Sequence, residues 1–143
     1  MQPQKTRLAS ATITRVPAAA LATRILIVDH DRQVGVSLSF MLAARKYDEV
    51  RAVRSAGRAV AVTEQFRPEI IFLDLDLPDD GTMAVARKLS GDARRPRPRL
   101  IALATNAESA VRDKARGAGF ERCLVKPVSH EELDKILGIR ATS

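Results

Sequence analysis

Several residue types are scarce in this chain, and their scarcity limits what it can be. There is no Trp, one Tyr and four Phe, so the core has to be built mainly from aliphatic side chains. The single cysteine, Cys123, can form no internal disulfide, and the apolar residues that follow it predict a small core residue. No apolar run approaches the ~20 residues that a membrane helix needs. We therefore expect a soluble, cytoplasmic protein with no membrane partner.

The first 24 residues contain four basic side chains and no acidic one. The whole sequence has 17 acidic residues and a net charge of +7. Residues 1–23 also lack sustained periodicity and are interpreted as a flexible N-terminal extension, with an organelle-targeting segment as the alternative. A second basic cluster, at 94–99, is interrupted by Pro96 and Pro98, which predicts an exposed loop. Since no helix-turn-helix pattern accompanies these clusters, nucleic-acid binding is not expected.

Short apolar runs alternate with helical periodicity over residues 24–140, which are interpreted as one α/β domain. Apolar residues recurring at helical spacing predict intervening helices that end near residue 46, before Pro68, near 89 and near 116. Ser129 and Glu132 have capping-box spacing and open a last helix that stops at Gly138. This alternation predicts an open parallel sheet with helices on both faces. The five strands are predicted at 25–28, 50–53, 70–73, 100–104 and 122–125.

Polar residues follow four of the predicted strands. In parallel α/β sheets, ligands bind beyond the carboxyl ends of the strands, so these residues are expected to share one crevice. For one Asp alone, a helix N-cap would be the ordinary interpretation, but convergence of several favours a site. Clustered carboxylates repel one another unless a cation is present, which predicts a hard divalent ion such as Mg²⁺. The crevice residues are Asp29, His30, Asp31, Asp74, Asp76, Thr105 and Lys126.

Three segments resemble the signature blocks of bacterial response-regulator receiver domains, such as the chemotaxis regulator. They are ILIVD at 25–29, IIFLDLDLP at 70–78 and AGFERCLVKPV at 118–128. The resemblance covers residues 24 to about 139 and implies a flavodoxin-like, doubly wound sheet with strand order 2-1-3-4-5. It also implies phosphorelay signalling and no enzymatic activity. The implied partners are a histidine kinase or phosphotransfer protein as phosphoryl donor and a downstream protein as target, with a homodimer left open.

Matching positions carry the family's roles over to this sequence. By resemblance, Asp74 is the phosphoacceptor, a carboxylate nucleophile that forms an acyl phosphate. Asp29 and Asp74 would hold Mg²⁺ together with the backbone carbonyl of Asp76, and Lys126 would pair with the phosphoryl oxygens. A lysine at a sheet edge is normally solvated, so we expect Lys126 to contribute little to folding. Pro127 would follow a cis peptide bond.

The sequence departs from the family at four places. His30 stands where the family usually has a second acid. One interpretation is a poor Mg²⁺ ligand, because imidazole suits transition metals better. The other is an exposed loop residue. The switch hydroxyl position falls on Ala104, and the nearest hydroxyl is that of Thr105. A one-residue slip would bring Thr105 to the phosphoryl group, whereas a pleated strand would turn it away. Cys123 replaces the usual rotating aromatic residue, and the loop at 78–81 is one residue shorter than usual.

Two hypotheses of different class follow from this pattern. The first is a phosphorylatable receiver, expected to stand alone because no residues follow Ser143 for an output domain. The second is a pseudo-receiver, a protein-interaction module that works without phosphorylation. The departures favour the second, while intact Asp29, Asp74 and Lys126 favour the first. A small α/β enzyme is a third hypothesis, but the sequence lacks a His-based catalytic set and a Gly-rich phosphate loop.

Overall fold

The computed structural model of the protein describes residues 23–78, 82–90, 97–108 and 119–140. No helix in this part of the chain is long and apolar enough to cross a membrane. Three predicted segments lie mostly outside the described residues: the extension at 1–23, of which only Thr23 is described, the helix at 108–116 and the shortened loop at 78–81. The described strands and helices are β1 (Arg24–Val28), α1 (Arg32–Ala44), β2 (Glu49–Val53), α2 (Ala56–Phe66), β3 (Ile70–Asp74), α3 (Thr82–Ser90), β4 (Arg99–Ala104), β5 (Arg122–Val125) and α4 (His130–Leu137).

The strands form one parallel sheet with the order β2-β1-β3-β4-β5. Every residue of β3 is buried, and β1 is buried from Ile25 to Val28, because helices cover both faces of the sheet centre. The edge strand β2 is mostly exposed until its last residue, Val53. The predicted α/β class, the doubly wound sheet and the strand order are confirmed.

Two hydrophobic clusters, one on each face of the sheet, form the core. Successive side chains of a strand point to opposite faces, so Leu26 packs in the cluster with α2 and α3, and Ile27 packs in the cluster with α1 and α4. Cys123 is partly buried and packs against the first cluster. This position agrees with the prediction of a small core residue.

The helix ends carry caps that the sequence indicates. The side chain of Ser129 accepts a hydrogen bond from the backbone N–H of Glu132, and α4 ends at Gly138 in the left-handed conformation. Glycine adopts that conformation without steric strain. The Asp31 side chain accepts from the backbone N–H of Gln33 and caps α1. This cap starts α1 directly beyond β1, at the edge where the polar residues collect.

Candidate functional site

The carboxyl ends of three strands bring the main site residues together. Asp29 directly follows β1, Asp74 is the last residue of β3, and Lys126 directly follows β5. Asp29 and Asp74 are 1% and 0% exposed. Carboxylates buried this deeply are costly unless they are paired and hydrogen-bonded. The site therefore depends on the groups that contact these two side chains.

Lys126 contacts both carboxylates. Its Nζ donates to Oδ2 of Asp29 at 3.1 Å and to Oδ1 of Asp74 at 3.2 Å. The side chain is only 13% exposed, so the expectation of a solvated lysine is wrong: two buried carboxylates draw the ammonium into the crevice. The backbone N–H of Lys126 donates to the carbonyl of Ala104 at 2.8 Å. The Lys126–Pro127 peptide bond is cis, as predicted.

Backbone amides from the turns after β1 and β3 hold the carboxylates in position. The N–H of Asp31 donates to Oδ1 of Asp29 at 2.9 Å, and the N–H of Asp76 donates to Oδ1 of Asp74 at 2.8 Å. The N–H of His30 lies 3.3 Å from Oδ2 of Asp74. Each carboxylate is thus oriented by its own turn as well as by Lys126.

The surroundings act differently on the two carboxylates. Burial raises the pKa of Asp29, and the hydrogen bonds from Asp31 and Lys126 offset this effect only in part. Burial also acts to raise the pKa of Asp74, but its hydrogen bonds with His30 and with backbone amides outweigh burial, so the pKa is lowered. For Lys126, burial acts to lower the pKa, yet the two carboxylates raise it overall. Asp74 is therefore an ionised carboxylate beside a cation at neutral pH.

His30 lies beside the carboxylate of Asp74. Its Nδ1 is 2.5 Å from Oδ2 of Asp74 and 3.8 Å from Oδ1 of Asp29. The side chain is nevertheless 43% exposed. His30 is thus both an exposed loop residue and a member of the crevice, and a role in metal binding stays a prediction.

Thr105 contacts a different carboxylate. It lies one residue beyond β4 and is exposed, and its hydroxyl donates to Oδ2 of Asp76. Among the hydrogen bonds of the described residues, none joins Thr105 to Asp74. Ala104, at the end of β4, is buried. This arrangement agrees with a regular strand that turns the hydroxyl away, whereas the backbone carbonyl of Asp76 as a metal ligand stays a prediction.

Asp29, His30 and Asp74 form the group of possible metal ligands in the described chain, with one ligand atom of each within 4.8 Å of the others. The two carboxylates suit Mg²⁺, which binds oxygen ligands. The third donor is an imidazole nitrogen, which suits transition metals better. The donor set therefore does not fit Mg²⁺ as a whole, although two of its three members do. Asp31, the other acid after β1, caps α1 and lies outside this group.

Sequence reasoning missed a groove of about 570 Å³ between α1 and β2, beside Asp29. Phe40, in this groove, is 72% exposed. A signal exists in the sequence, because Val36 and Phe40 are four residues apart on α1 and lie off the apolar stripe that faces the core. Arg54, just after β2, also lines the groove, and its Nε lies 3.4 Å from the backbone oxygen of His30.

Known proteins are similar to this chain in sequence. A family model described as the response regulator receiver domain matches residues 25–138. The transcriptional regulatory protein KdpE of Mycobacterium tuberculosis is 30% identical over 110 residues, which cover 77% of this chain and 47% of that protein. The DNA-binding dual master transcriptional regulator RpaA of Synechocystis is 34% identical over 113 residues, covering 77% and 45%. The chain spans about half the length of these curated relatives.

Solved structures share the fold. The chemotaxis response regulator CheY4 of Vibrio cholerae has a TM-score of 0.73 at 22% identity, covering 81% of this chain and 96% of that one. The signal receiver domain of a DNA-binding response regulator from Colwellia psychrerythraea 34H has a TM-score of 0.75 at 18% identity, covering 81% and 95%. Such domains in general carry signals and are not enzymes. With the family model matching most of its length, this chain belongs to the response regulator receiver domains of two-component systems.

Proposed function

We propose that this protein accepts a phosphoryl group on Asp74 from a histidine kinase or a phosphotransfer protein. One observation carries the proposal: a fully buried carboxylate ends β3 with the ammonium of Lys126 3.2 Å from one of its oxygens. A nucleophilic carboxylate has to be ionised, and its own charge would repel an incoming phosphoryl group. The ammonium of Lys126 offsets that repulsion.

The proposed reaction is a transfer between two covalent bonds. An oxygen of Asp74 attacks the phosphorus, the bond from phosphorus to the donor nitrogen breaks, and the nitrogen leaves with the electron pair and takes up a proton. The product is an acyl phosphate on Asp74, whose new charge lies within reach of Lys126. Attack through Oδ2 requires the His30 imidazole to move away, and its partial exposure lets it do so without repacking the core.

Magnesium is proposed to bind this site weakly. Two carboxylates, Asp29 and Asp74, remain to hold it, and the imidazole of His30 stands where the family usually has a further acid. A hard cation loses Coulomb attraction that an imidazole nitrogen does not restore.

The direct test is incubation with acetyl phosphate and a divalent ion, followed by intact-mass measurement. The wild-type protein should gain one phosphoryl group, and Asp74→Asn should gain none. Asp31→Asn is the matched control, because Asp31 is an exposed acid in the same crevice region that caps α1; it should be labelled like the wild type. Continued labelling of Asp74→Asn would contradict the proposal.

A phosphorylation-independent interaction module is the second candidate. The contact of His30 with Oδ2 of Asp74 favours it, because the nucleophile is already engaged, and so does the pairing of Thr105 with Asp76. Family membership and the buried Asp74–Lys126 pair favour the first candidate. The same experiment separates them, since a module of this kind would take up no phosphoryl group.

The partners and compartment follow from the proposed reaction. A downstream protein is the proposed target, the cytoplasm is the proposed compartment, and dimerisation on phosphorylation is left to measurement. The regulators KdpE and RpaA extend well beyond the matched region, so their output on transcription is not transferred to this chain. Sedimentation of the acetyl-phosphate-treated protein against Asp74→Asn will report any change in self-association.

A further inference from the structure

The possible ligand atoms of the crevice have the spacing of a metal site. In a six-coordinate site with bonds of about 2.1 Å, neighbouring ligands lie about 3.0 Å apart and opposite ligands about 4.2 Å apart. The Nδ1 of His30 lies 2.5 Å from Oδ2 of Asp74 and 3.8 Å from Oδ1 of Asp29. One of these two distances is shorter, and the other longer, than the distance of about 3.0 Å expected between neighbouring ligands. Small side-chain movements would therefore let all three atoms bind one ion.

The two carboxylates divide their oxygens between His30 and Lys126. Lys126 contacts Oδ2 of Asp29 and Oδ1 of Asp74. The oxygens nearest the imidazole are the other two, Oδ1 of Asp29 and Oδ2 of Asp74. An ion on the imidazole side need not displace the ammonium, and the exposed edge of His30 gives it access from solvent.

The donor types select the ion. Two anionic oxygens and a neutral imidazole nitrogen are a mixed set, and a mixed set follows the order Mn²⁺ < Co²⁺ < Ni²⁺ because the nitrogen bond strengthens along it. Mg²⁺ binds oxygen ligands and gains little from the nitrogen. Lys126 also places a positive charge close to both carboxylates, which lowers the purely electrostatic attraction for any dication. The strength of the bond from the metal to the imidazole nitrogen therefore sets the difference in affinity between one ion and another.

We propose that Asp29, His30 and Asp74 form a site for a transition-metal dication, such as Mn²⁺, Co²⁺ or Ni²⁺, in preference to Mg²⁺. This inference deepens the proposed phosphoacceptor function, because the ion would occupy the same crevice. Binding itself needs no phosphoryl group, so it is tested on the unphosphorylated protein.

Calorimetric titration of the tag-free protein with Mg²⁺, Mn²⁺, Co²⁺ and Ni²⁺ measures the preference. Affinity should rise along that series, with Ni²⁺ about tenfold or more tighter than Mg²⁺, a margin of about 1.4 kcal/mol. His30→Asp should narrow the difference by tightening Mg²⁺ and weakening Ni²⁺. His130→Ala is the matched control, because it removes the chain's other histidine, which lies at the start of α4, and it should leave the order unchanged.

Pulsed electron paramagnetic resonance of the Mn²⁺ complex identifies the ligand directly. The wild type and His130→Ala should show coupling to an imidazole nitrogen, and His30→Ala should show none. Equal affinity for Mg²⁺ and Ni²⁺, or nitrogen coupling that survives His30→Ala, would overturn the inference. Because His30 is partly exposed, these substitutions leave the core intact.

Phosphorylation is measured separately with each ion, so the two proposals fail independently. A protein that prefers transition metals but takes up no phosphoryl group would keep this inference and lose the proposed function. A protein that is phosphorylated with Mg²⁺ but shows no nitrogen coupling would keep the proposed function and lose this inference.

Discussion

The two sides of the crevice differ in how strongly they are held. On the buried side, the carboxylates of Asp29 and Asp74 share the ammonium of Lys126 and are fixed by backbone amides. On the exposed side, Thr105 and Asp76 contact each other in solvent. Leaving a buried charge unpaired is costly, whereas an exposed hydrogen bond contributes little. The groups proposed for phosphoryl transfer thus lie where geometry is tightly determined, whereas the hydroxyl of Thr105 lies where it is loosely determined.

The largest effect is expected from Lys126→Ala. Removing the ammonium leaves two buried carboxylates without their shared partner, so the free energy of unfolding should fall by about 1–3 kcal/mol. Phosphoryl uptake from acetyl phosphate should fall as well. Urea denaturation and intact-mass labelling measure the two effects. Lys135→Ala, at an exposed position of α4, is the control. Equal stability of the two variants would show that the buried contacts of Lys126 do not stabilise the fold.

His30→Asp should produce the next largest effect. It replaces the imidazole beside Asp74 by a third carboxylate, so Mg²⁺ should bind more tightly and labelling in the presence of Mg²⁺ should be faster. Stopped-flow measurement of labelling at several Mg²⁺ concentrations checks this expectation. If the wild type is labelled as fast as His30→Asp at low Mg²⁺, the weakened metal site is refuted.

A smaller effect is expected from an exposed ion pair, which tests the importance of burial. The guanidinium of Arg99 donates to both carboxylate oxygens of Glu121, and this hydrogen bonding lowers the pKa of Glu121. A lowered acid pKa stabilises the fold above the unfolded pKa, and this stability is lost as pH falls through the folded pKa. Both side chains are 40% exposed, so the contribution is at most about 1 kcal/mol.

Glu121→Gln measures that contribution. The free energy of unfolding of the variant should be slightly below that of the wild type at neutral pH, and the difference should vanish in acid, where Glu121 is protonated. A loss at neutral pH as large as that of Lys126→Ala would contradict the contrast between exposed and buried pairs.

The smallest effect is expected from Thr105→Val. The hydroxyl contacts only an exposed carboxylate among the hydrogen bonds described, so the free energy of unfolding should change by less than about 0.5 kcal/mol. Labelling of Asp74 should proceed at the wild-type rate. Slow labelling of this variant would show that Thr105, on the exposed side of the crevice, takes part in phosphorylation. The two sides would then not differ in their importance for the reaction.

Much of the fold follows from the sequence because strand and helix periodicities are local. The positions of Asp29 and Asp74 also follow, because each stands at the carboxyl end of a short apolar run. Strand starts are less accurate. Three strands, β1, β2 and β4, begin one residue earlier than predicted, at Arg24, Glu49 and Arg99, because backbone pairing in the sheet does not depend on side-chain type.

The contacts within the site could not be predicted in the same way. The burial of Lys126 and the contact of His30 with Asp74 depend on distances between residues far apart in the chain. Resemblance to a family supplies positions for such residues, but it does not supply the contacts of a substituted one. His30 is the clearest case. Its position in the family predicts a metal ligand, but an imidazole is a poor ligand for Mg²⁺.

The imidazole of His30 on Oδ2 of Asp74 has a kinetic consequence. If attack uses that oxygen, only molecules in which the imidazole has swung aside can react, so the observed rate is the intrinsic rate multiplied by the fraction of open molecules. A donor protein that held the imidazole aside would raise this fraction, whereas a small phosphodonor could not. The chain would then discriminate between donors through a conformational equilibrium of one side chain.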